Sequence, residues 1–506
     1  MKFAFIGGLA SILLTETLAV SQPMDGQTWL AQTPIYRSKY YAIQTDLEVE
    51  EAKKLAVHMD ATFESYMRLF LKLPIRVTRP STLDLYLFAN QRDYLNVLTT
   101  RFKNDGTGSW GKCITMGRRI SLVGWRGEHT AEEVKPLLQH EGFHQVSSHL
   151  FSDTPLWAEE GMAELFERGV MVGGELALGE FSIHDKKRLQ ELVQRDQVIP
   201  FDRFFAIDSE EWSQRVRAAD AGGIYLQAWS MVHFFVFADG GKYEKGYLNF
   251  LVLLNRGVEW KQAFVTAFGM PDFDAMQAKW QEHIEKTPPS DYRETIRRFE
   301  FLAAGVADLQ QRDIYPASLD ELEQELKKAS FTHESNLFGE PRRISALDPA
   351  VFEVPYATET ADRKFVLDYP RGAPAGPRRG TAPANMLATG LDPQVFAVTW
   401  RRQGNDYEPV FLIGSAAQKV LALAKKPTRP DERDAEERPA EKPPQAPELR
   451  TWTSANGKYT TLARLKDYRD GVAQLETADG ASIPVPYDKL SPVDQRYLDG
   501  WTGGTP

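Results

Sequence analysis

The sequence of 506 residues contains a single cysteine, Cys113, so it cannot form an intramolecular disulfide. A lone thiol is more often a buried structural residue than a nucleophile or a metal ligand. Because there is no second cysteine, any metal site held by this chain has to be built from histidine and carboxylate side chains. The nine histidines are therefore the residues to search for such a site.

The chain also lacks an excess of positive charge. It carries 60 Lys and Arg against 70 Asp and Glu, which gives a formal net charge of -10. Such a chain gains no general electrostatic attraction to nucleic acid or to anionic membranes, although this does not exclude a local basic groove. The 42% of hydrophobic residues is ordinary for globular proteins, and the length predicts two or three domains.

No hydrophobic run is long enough to cross a bilayer, which needs about 20 apolar residues. A shorter run occurs at the N-terminus, where Lys2 precedes the apolar segment 3–14 and small residues follow up to Ser21. This order predicts a signal peptide over residues 1–21 with cleavage near Ser21, although Glu16 is an unusual charge there. We therefore expect an exported protein, periplasmic or extracellular.

The patterns along the chain divide it into regions. Residues 40–125 alternate between strand and helix patterns and predict a small mixed sheet with helices, whereas residues 130–286 are almost wholly helical. Residues 425–448 hold six prolines and thirteen charged residues without an aromatic residue, which predicts a disordered linker. The predicted regions are a domain at 35–289, an unassigned α+β region at 290–424, the linker, and a small β domain at 449–501.

The five residues from His140 to His144 have the pattern H-E-x-x-H. On a helix, His140 and His144 lie one turn apart on the same face, so both rings can bind one Zn²⁺. Glu141 is turned by about 100° from the first ligand and can act as general base toward a zinc-activated water. Thr130 and Glu133 are a candidate capping box at the start of this helix. Pro136 suits a first turn better than a helix interior, so a start near Lys135 or a kink there is the alternative.

A second predicted helix, which begins near Pro155, supplies a candidate third ligand. Glu160 lies in this helix, and the short connection lets the helix pack across the first and complete a His₂Glu site with an open position. Glu164, one turn further, can orient either histidine ring by accepting its free N–H. An acidic surface favoured by the helix dipole is the alternative interpretation of both Glu159 and Glu164.

Two segments carry a family resemblance: His140 to Gln145, and the nine residues from Pro155 to Ala163, PLWAEEGMA. They resemble the gluzincin zinc peptidases of the peptidase-MA-like group, over about residues 35–286. In that group the ligand glutamate precedes glycine in a W-x-x-E-G-x-A signature, which implies Glu160 rather than Glu159. The fifteen residues between His144 and Glu160 are fewer than in aminopeptidase-type members, which argues against an aminopeptidase.

Tyr225 is a candidate donor to the oxyanion of the reaction. It follows Gly222 and Gly223 where gluzincins often have a tyrosine opening a helix, and a phenol can donate to the tetrahedral oxygen. A half-buried core tyrosine is the alternative. The histidines without partners at ligand spacing are interpreted as structural or surface residues; they are His129, His149, His184 and His233.

The C-terminal residues 449–499 carry a second resemblance. The residues that carry it are Arg450, Trp452, Gly457, Tyr459, Ala463, Gly471, Asp479, Gly480, Ile483, Pro486, Leu490, Ser491, Asp494 and Tyr497. They resemble the first Sla homology domain, whose fold is a small SH3-like β-barrel and which binds Asn-Pro-Phe peptides in a eukaryotic endocytic adaptor. An exported protein would not meet that motif, so the resemblance implies only a peptide- or protein-binding role.

The predicted fold class is α+β: a gluzincin-type zincin with a small mixed sheet and a helical subdomain, followed by an SH3-like β-barrel. The expected function is that of an exported zinc metallopeptidase acting on a peptide or protein substrate, with no nucleic-acid partner and no membrane span. One alternative is a non-catalytic protein-binding or scaffold protein with a structural or vestigial zinc site. The presence of Glu141 argues against it, because a structural site needs no base. A hydrolase of another bond is a further alternative.

Overall fold

A computed structural model describes residues 26–424 and 450–499, apart from 76, 78, 81, 118, 152–153, 218–220, 270–271, 369–381, 405, 456–458, 470 and 478–479. The predicted signal peptide and linker lie outside the described residues. The chain divides into two compact units, Met1–Lys426 and Pro427–Pro506. Together they form a mixed α+β protein, and no described helix combines the length and the apolar character needed to cross a membrane.

The first unit begins with the mixed sheet predicted from the sequence. Its five strands have the order β1-β2-β3-β5-β4, in which β2, β3 and β5 are parallel and the two edge strands are antiparallel to their neighbours. The elements are α1 (Gly26–Gln32), β1 (Ile35–Arg37), β2 (Tyr41–Thr45), α2 (Val49–Phe70), β3 (Leu83–Phe88), α3 (Gln91–Val97), β4 (Gly111–Met116) and β5 (Arg119–Trp125). The Asn90 side chain accepts from the amide of Asp93 and caps α3.

The helical part follows and packs on the sheet through one large core. Its elements are α4 (Ala131–Ser147), α5 (Leu156–Glu167), β6 (Val170–Val172), β7 (Glu175–Ala177), α6 (Ile183–Gln194), α7 (Phe201–Phe204), α8 (Ser209–Arg217), α9 (Ala221–Gly241), α10 (Glu244–Asn255), α11 (Trp260–Phe268) and α12 (Phe273–Lys286). The fully buried Trp157, Trp229 and Trp280 belong to this core together with residues of α2 and α4. The two histidine- and glutamate-bearing helices, α4 and α5, are therefore held between the sheet and α9.

Residues 290–424 belong to the same compact unit. Their elements are α13 (Tyr292–Gln311), α14 (Leu319–Lys328), β8 (Thr332–Ser335), β9 (Arg342–Ser345), β10 (Lys364–Asp368), β11 (Asn385–Leu391), β12 (Gln394–Gln403), β13 (Asp406–Ile413) and α15 (Gly414–Ala424). Strands β10 to β13 form a four-stranded antiparallel sheet. Val170 and Val172 of the β6–β7 hairpin are buried in the core that α13 and this sheet form. The region therefore shares its core with the helical part.

The second unit is a small antiparallel sheet of four strands in sequential order. Its elements are β14 (Arg450–Thr453), β15 (Thr460–Arg469), β16 (Val472–Thr477), β17 (Ser482–Pro486) and α16 (Pro492–Asp499). Buried Asp494 accepts from the amide of Thr453 at 2.8 Å and from Arg450 at 2.7 Å, so it joins α16 to β14. The prediction of a barrel differs from the observed sheet, because among the described residues the four strands do not close on themselves.

Candidate metal centre

The helix that carries both histidines begins at the Thr130 cap and not near Lys135, so Pro136 lies inside it. Thr130 Oγ1 accepts from the amide of Glu133 at 3.3 Å, and the Glu133 carboxylate accepts from the amide of Thr130 at 2.6 Å. This is the predicted capping box, and it satisfies two of the free amides at the start of α4. The helix continues to Ser147, so His140 and His144 lie on one face as regular helix geometry requires.

The second helix approaches closely enough for Glu160 to meet both rings. A Cβ atom at Gly161 would lie 2.5 Å from the carbonyl oxygen of Ala228, so only glycine lets α5 pack this closely on α9. Close packing of α5 on α9 therefore explains why a glycine directly follows the candidate ligand Glu160. Helix α5 starts at Leu156, with Pro155 in extended conformation as its N-terminal flanking residue.

The three predicted ligands converge on one point. The Oε2 atom of Glu160 lies 3.3 Å from Nε2 of His140 and 3.5 Å from Nε2 of His144, and all three atoms lie within 4.8 Å of one another. Two ligands of a tetrahedral Zn²⁺ lie about 3.3 Å apart, because each is about 2.0–2.1 Å from the metal. The donor set and its spacing fit a zinc ion.

A carboxylate also lies behind each histidine ring. The Nδ1 atom of His140 is 2.8 Å from Oε2 of Glu167, and Nδ1 of His144 is 3.0 Å from Oε1 of Glu159. Ser147 Oγ donates to the same oxygen of Glu159. A carboxylate that accepts the Nδ1 proton fixes the ring orientation and directs the Nε2 lone pair toward a metal.

Glu164 is not the residue that orients the rings. It lies close to His140 and Glu167, but its carboxylate pairs with Arg168. The Arg168 guanidinium also lies 3.7 Å from Asp185 and 4.7 Å from the ring centroid of Trp229. The carboxylates that lie against the two Nδ1 atoms are those of Glu167 and Glu159, and not that of Glu164 as predicted. A sequence signal for Glu167 exists, since it follows Glu160 by seven residues, or two helical turns.

Glu141 faces the same cleft as the three ligands. Burial raises the pKa of its carboxyl group, while the backbone N–H of Cys113 in the edge strand β4 donates to it. Gly111 of β4 gives the side chain room, because a Cβ there would lie 3.3 Å from Cγ of Glu141. A carboxylate with a raised pKa is a better proton acceptor, which suits the role of a general base.

The charges of the three ligand residues are strongly coupled. Burial alone would raise the pKa of Glu160, but hydrogen bonds to His140 and His144 lower it to about 2. Burial alone would lower the pKa of His144, but hydrogen bonds to Glu159 and Glu160 raise it to about 9. Glu160 is therefore ionised at neutral pH, and a bound cation would replace protons on the rings, so metal uptake would release protons.

Tyr225 lies in the same cleft, which has a volume of about 490 Å³. Burial, together with the charge of Glu160, raises the pKa of its phenol to about 12, so the hydroxyl is a proton donor at neutral pH. Its ring packs edge-to-face on Trp212 with centroids 5.5 Å apart. Cys113 also lines the cleft, and burial raises the pKa of its thiol. The sequence predicted neither that Cys113 lines the cleft nor that its backbone amide contacts Glu141.

Comparison with known families gives two matches, each over part of the chain. Residues 136–247, which include His140, Glu160 and Tyr225, match a family described as a protein of unknown function, DUF1570. Residues 440–505 match the SLA1 homology domain 1, SHD1, which supports the resemblance inferred for the C-terminal region. A search among curated proteins gives no match.

Proposed function

We propose that the protein is an exported zinc metallopeptidase of the gluzincin type, in which His140, His144 and Glu160 hold the metal. The observation that carries this proposal is the approach of Glu160 Oε2 to both Nε2 atoms, at 3.3 and 3.5 Å. The carboxylates of Glu159 and Glu167 behind the rings support it, because they present both Nε2 atoms as ligands.

Zinc, when bound, would polarise the scissile carbonyl group and lower the pKa of a water molecule. Glu141 accepts the proton of the attacking water and passes it to the leaving amine, which a buried carboxylate with a raised pKa does efficiently. Tyr225 donates a hydrogen bond to the oxygen that becomes negative as the carbonyl carbon turns tetrahedral. The cleft takes the peptide substrate.

The composition of the site favours an enzyme over a scaffold with a structural or vestigial zinc site. Structural zinc sites are usually closed by four protein ligands, whereas this site offers three ligands that face a cleft. A structural zinc site needs no general base, so Glu141 in the same cleft would have no function there. A buried carboxyl group with a raised pKa beside a candidate metal is typical of catalytic sites.

Metal analysis together with a peptide digest tests the proposal. Protein purified from zinc-replete medium should contain close to one zinc ion per chain by mass spectrometry, because the ligand set fits zinc before any substrate is present. The same preparation should cleave members of a broad peptide library, and a chelator should abolish cleavage. Metal-free protein from zinc-replete medium would rule out the zinc site, and zinc-loaded protein without any cleavage would favour the scaffold.

We further propose that the second unit is an SH3-like protein-binding module. The SHD1 match supports this. Two large apolar side chains at the surface of the unit also support it, since Tyr459 is 74% exposed and Val493 is 60% exposed. Aromatic and apolar groups at a surface are typical of protein-binding sites. We infer that the module increases the local concentration of a larger partner around the peptidase.

Deletion of residues 425–506 tests the role of this module. We expect zinc content and turnover of a small peptide to stay within about twofold of the full chain, because a tethered module adds affinity without chemistry. Cleavage of, or attachment to, a larger partner from the same compartment should weaken. Steady-state kinetics on both substrate classes measures the difference. Loss of small-peptide turnover, with zinc and folding intact, would contradict this division of roles.

A further inference from the structure

Gln139, the residue directly before the first candidate zinc ligand, bonds the end of the other ligand-bearing helix. It is 2% exposed, and its Nε2 atom lies 2.6 Å from the carbonyl oxygen of Phe166, 3.2 Å from that of Glu167 and 3.1 Å from that of Gly169. Carbonyl oxygens only accept hydrogen bonds, so the N–H donors of the Gln139 amide face them. The end of a helix leaves such carbonyl groups without intrahelical partners. Gln139 therefore ties α4 to the C-terminal end of α5.

The same end of α5 carries the carboxylate that faces His140. Glu167 is the last residue of α5, and its Oε2 atom lies 2.8 Å from Nδ1 of His140. The Glu167 side chain is 38% exposed, and within the described part of the chain it makes no hydrogen bond to another side chain. Helix ends fray. An exposed carboxylate at such an end keeps one position against the ring only if the backbone beneath it is held.

The carboxylate behind the other ring is held in a different way. Glu159 lies in the first turn of α5, and its side chain is 18% exposed. Ser147 Oγ donates to the same Glu159 oxygen that contacts Nδ1 of His144. A side chain of α4 thus holds the Glu159 carboxylate directly, whereas the bonds from Gln139 hold Glu167 through its backbone.

Gln139 itself has a fixed position. The hydroxyl group of the fully buried Tyr66 in α2 donates to the backbone carbonyl oxygen of Gln139, and the Gln139 side chain contacts the buried ring of His58. A Cβ atom at Gly142 would lie 2.9 Å from the Tyr66 hydroxyl oxygen, so the glycine in the H-E-x-x-H segment leaves room for this contact. The amide of Gln139 therefore reaches the end of α5 from an anchored backbone.

We propose that Gln139 is a positioning residue, which holds the end of α5 so that the Glu167 carboxylate orients the His140 ring toward the metal. This inference rests on the zinc site of the proposed function. It makes metal affinity depend on a residue whose side-chain amide donates to backbone carbonyl groups and not to a ligand.

Gln139→Met tests this inference, because it removes the N–H donors from a side chain of similar length. Zinc affinity, measured by competition with a chelator, should fall about three- to tenfold, less than the roughly 10–100-fold that loss of a complete outer contact costs. Glu167→Ala removes that contact and should fall in the full range. In the Glu167→Ala chain, Gln139→Met should change zinc affinity by less than about twofold, since residues that act through one contact are not additive.

Gln145→Met is the matched control. Gln145 is a buried glutamine of the same helix, and its amide donates to the carbonyl oxygens of Asp84 and Ile120 at 2.9 and 2.8 Å. These carbonyl groups belong to the sheet and not to α5. Both variants should lower the melting temperature by a few degrees, but Gln145→Met should leave zinc affinity within about twofold. The visible absorption of Co²⁺ bound to the chain reports ligand geometry and should shift only with Gln139→Met.

Zinc affinity that Gln139→Met leaves unchanged would overturn this inference alone. An equal loss in the Glu167→Ala chain would also overturn it, because Gln139 would then act independently of Glu167. An equal loss with Gln145→Met would mean a general weakening of α4. Absence of zinc from the unmodified chain would overturn the proposed metal centre together with this inference. If Gln139→Met does not fold, Gln139→Asn takes its place with the same expectations, since its amide is one methylene short of the carbonyl groups.

Discussion

Glu141→Gln is expected to lower peptide turnover by about 10²–10⁴-fold, the usual contribution of a general base, while zinc content stays near one ion per chain. Glutamine has the shape of glutamate and can still accept from the Cys113 amide through its carbonyl oxygen. It cannot accept a proton from water, so only the chemical step is affected. The measurement is kcat on a library-selected peptide, together with mass-spectrometric zinc analysis of the same sample.

Glu191→Gln is a matched control, because it makes the same change at an exposed position of α6. Its turnover should equal that of the unmodified chain. If Glu141→Gln keeps turnover within about tenfold while zinc stays bound, Glu141 is not the general base, since such a base contributes at least about 10²-fold. Loss of zinc in Glu141→Gln would instead mean that Glu141 helps to hold the metal.

His144→Ala should abolish zinc binding, because the two remaining ligands no longer enclose the ion. Glu160→Gln should also release most of the zinc on dialysis, since it removes the negative charge that both Nε2 atoms face. Glu159→Gln should have a smaller effect, because the amide oxygen can still accept from Nδ1 of His144. Loss of such an outer contact typically costs about 10–100-fold in metal affinity, so Glu159→Ala should fall in that range.

Competition with a chelator of known zinc affinity ranks these four variants. The expected order of retention is Glu159→Gln, Glu159→Ala, Glu160→Gln and His144→Ala, from tightest to weakest. Circular dichroism of each apo-variant controls for loss of folding. The reverse order for the two glutamates, with Glu160→Gln retaining zinc and Glu159→Gln losing it, would show that Glu159 is the third ligand.

The parts of the site that could be predicted from the sequence depend on short-range periodicity. His140 and His144 are one turn apart on any helix, and the capping box at Thr130 fixes where that helix begins. The strands and helices of the first sheet follow equally local patterns, which is why β2 to β5 and the helices between them lie within the predicted range 40–125.

The residues around the ligands could not be predicted because their partners depend on packing and on side-chain rotamers. Glu159, Glu164 and Glu167 are all plausible partners of a histidine on a bare helix. Arg168 determines which of the three contacts a histidine, because it forms an ion pair with Glu164. Trp229 of α9 packs on that arginine. The pair of Glu164 and Arg168 is a local i, i+4 contact, but the contact with Trp229 has no signature in the local sequence, since Trp229 is far away along the chain.

In residues 290–424, too, contacts between segments distant in sequence could not be predicted. The sequence predicted only an unassigned α+β region there, and the structure confirms its mixed character, with α13 as its longest helix. Its sheet pairs strands that are separated by turns and by residues outside the described part, and no local pattern indicates a core shared with the β6–β7 hairpin. In the second unit the strands were likewise expected, but closure into a barrel depends on contacts between sheet edges rather than on strand pattern.

The burial of Val170 and Val172 among residues of 290–424 sets the practical limits of a recombinant fragment. A gene fragment that stops at residue 289 would encode every candidate zinc ligand, yet it would leave both valines and neighbouring Ala177 facing solvent. Exposed β-hairpins with apolar side chains readily associate with other chains. A soluble fragment that carries the candidate site, for crystallisation or engineering, therefore has to extend through α15, to residue 424.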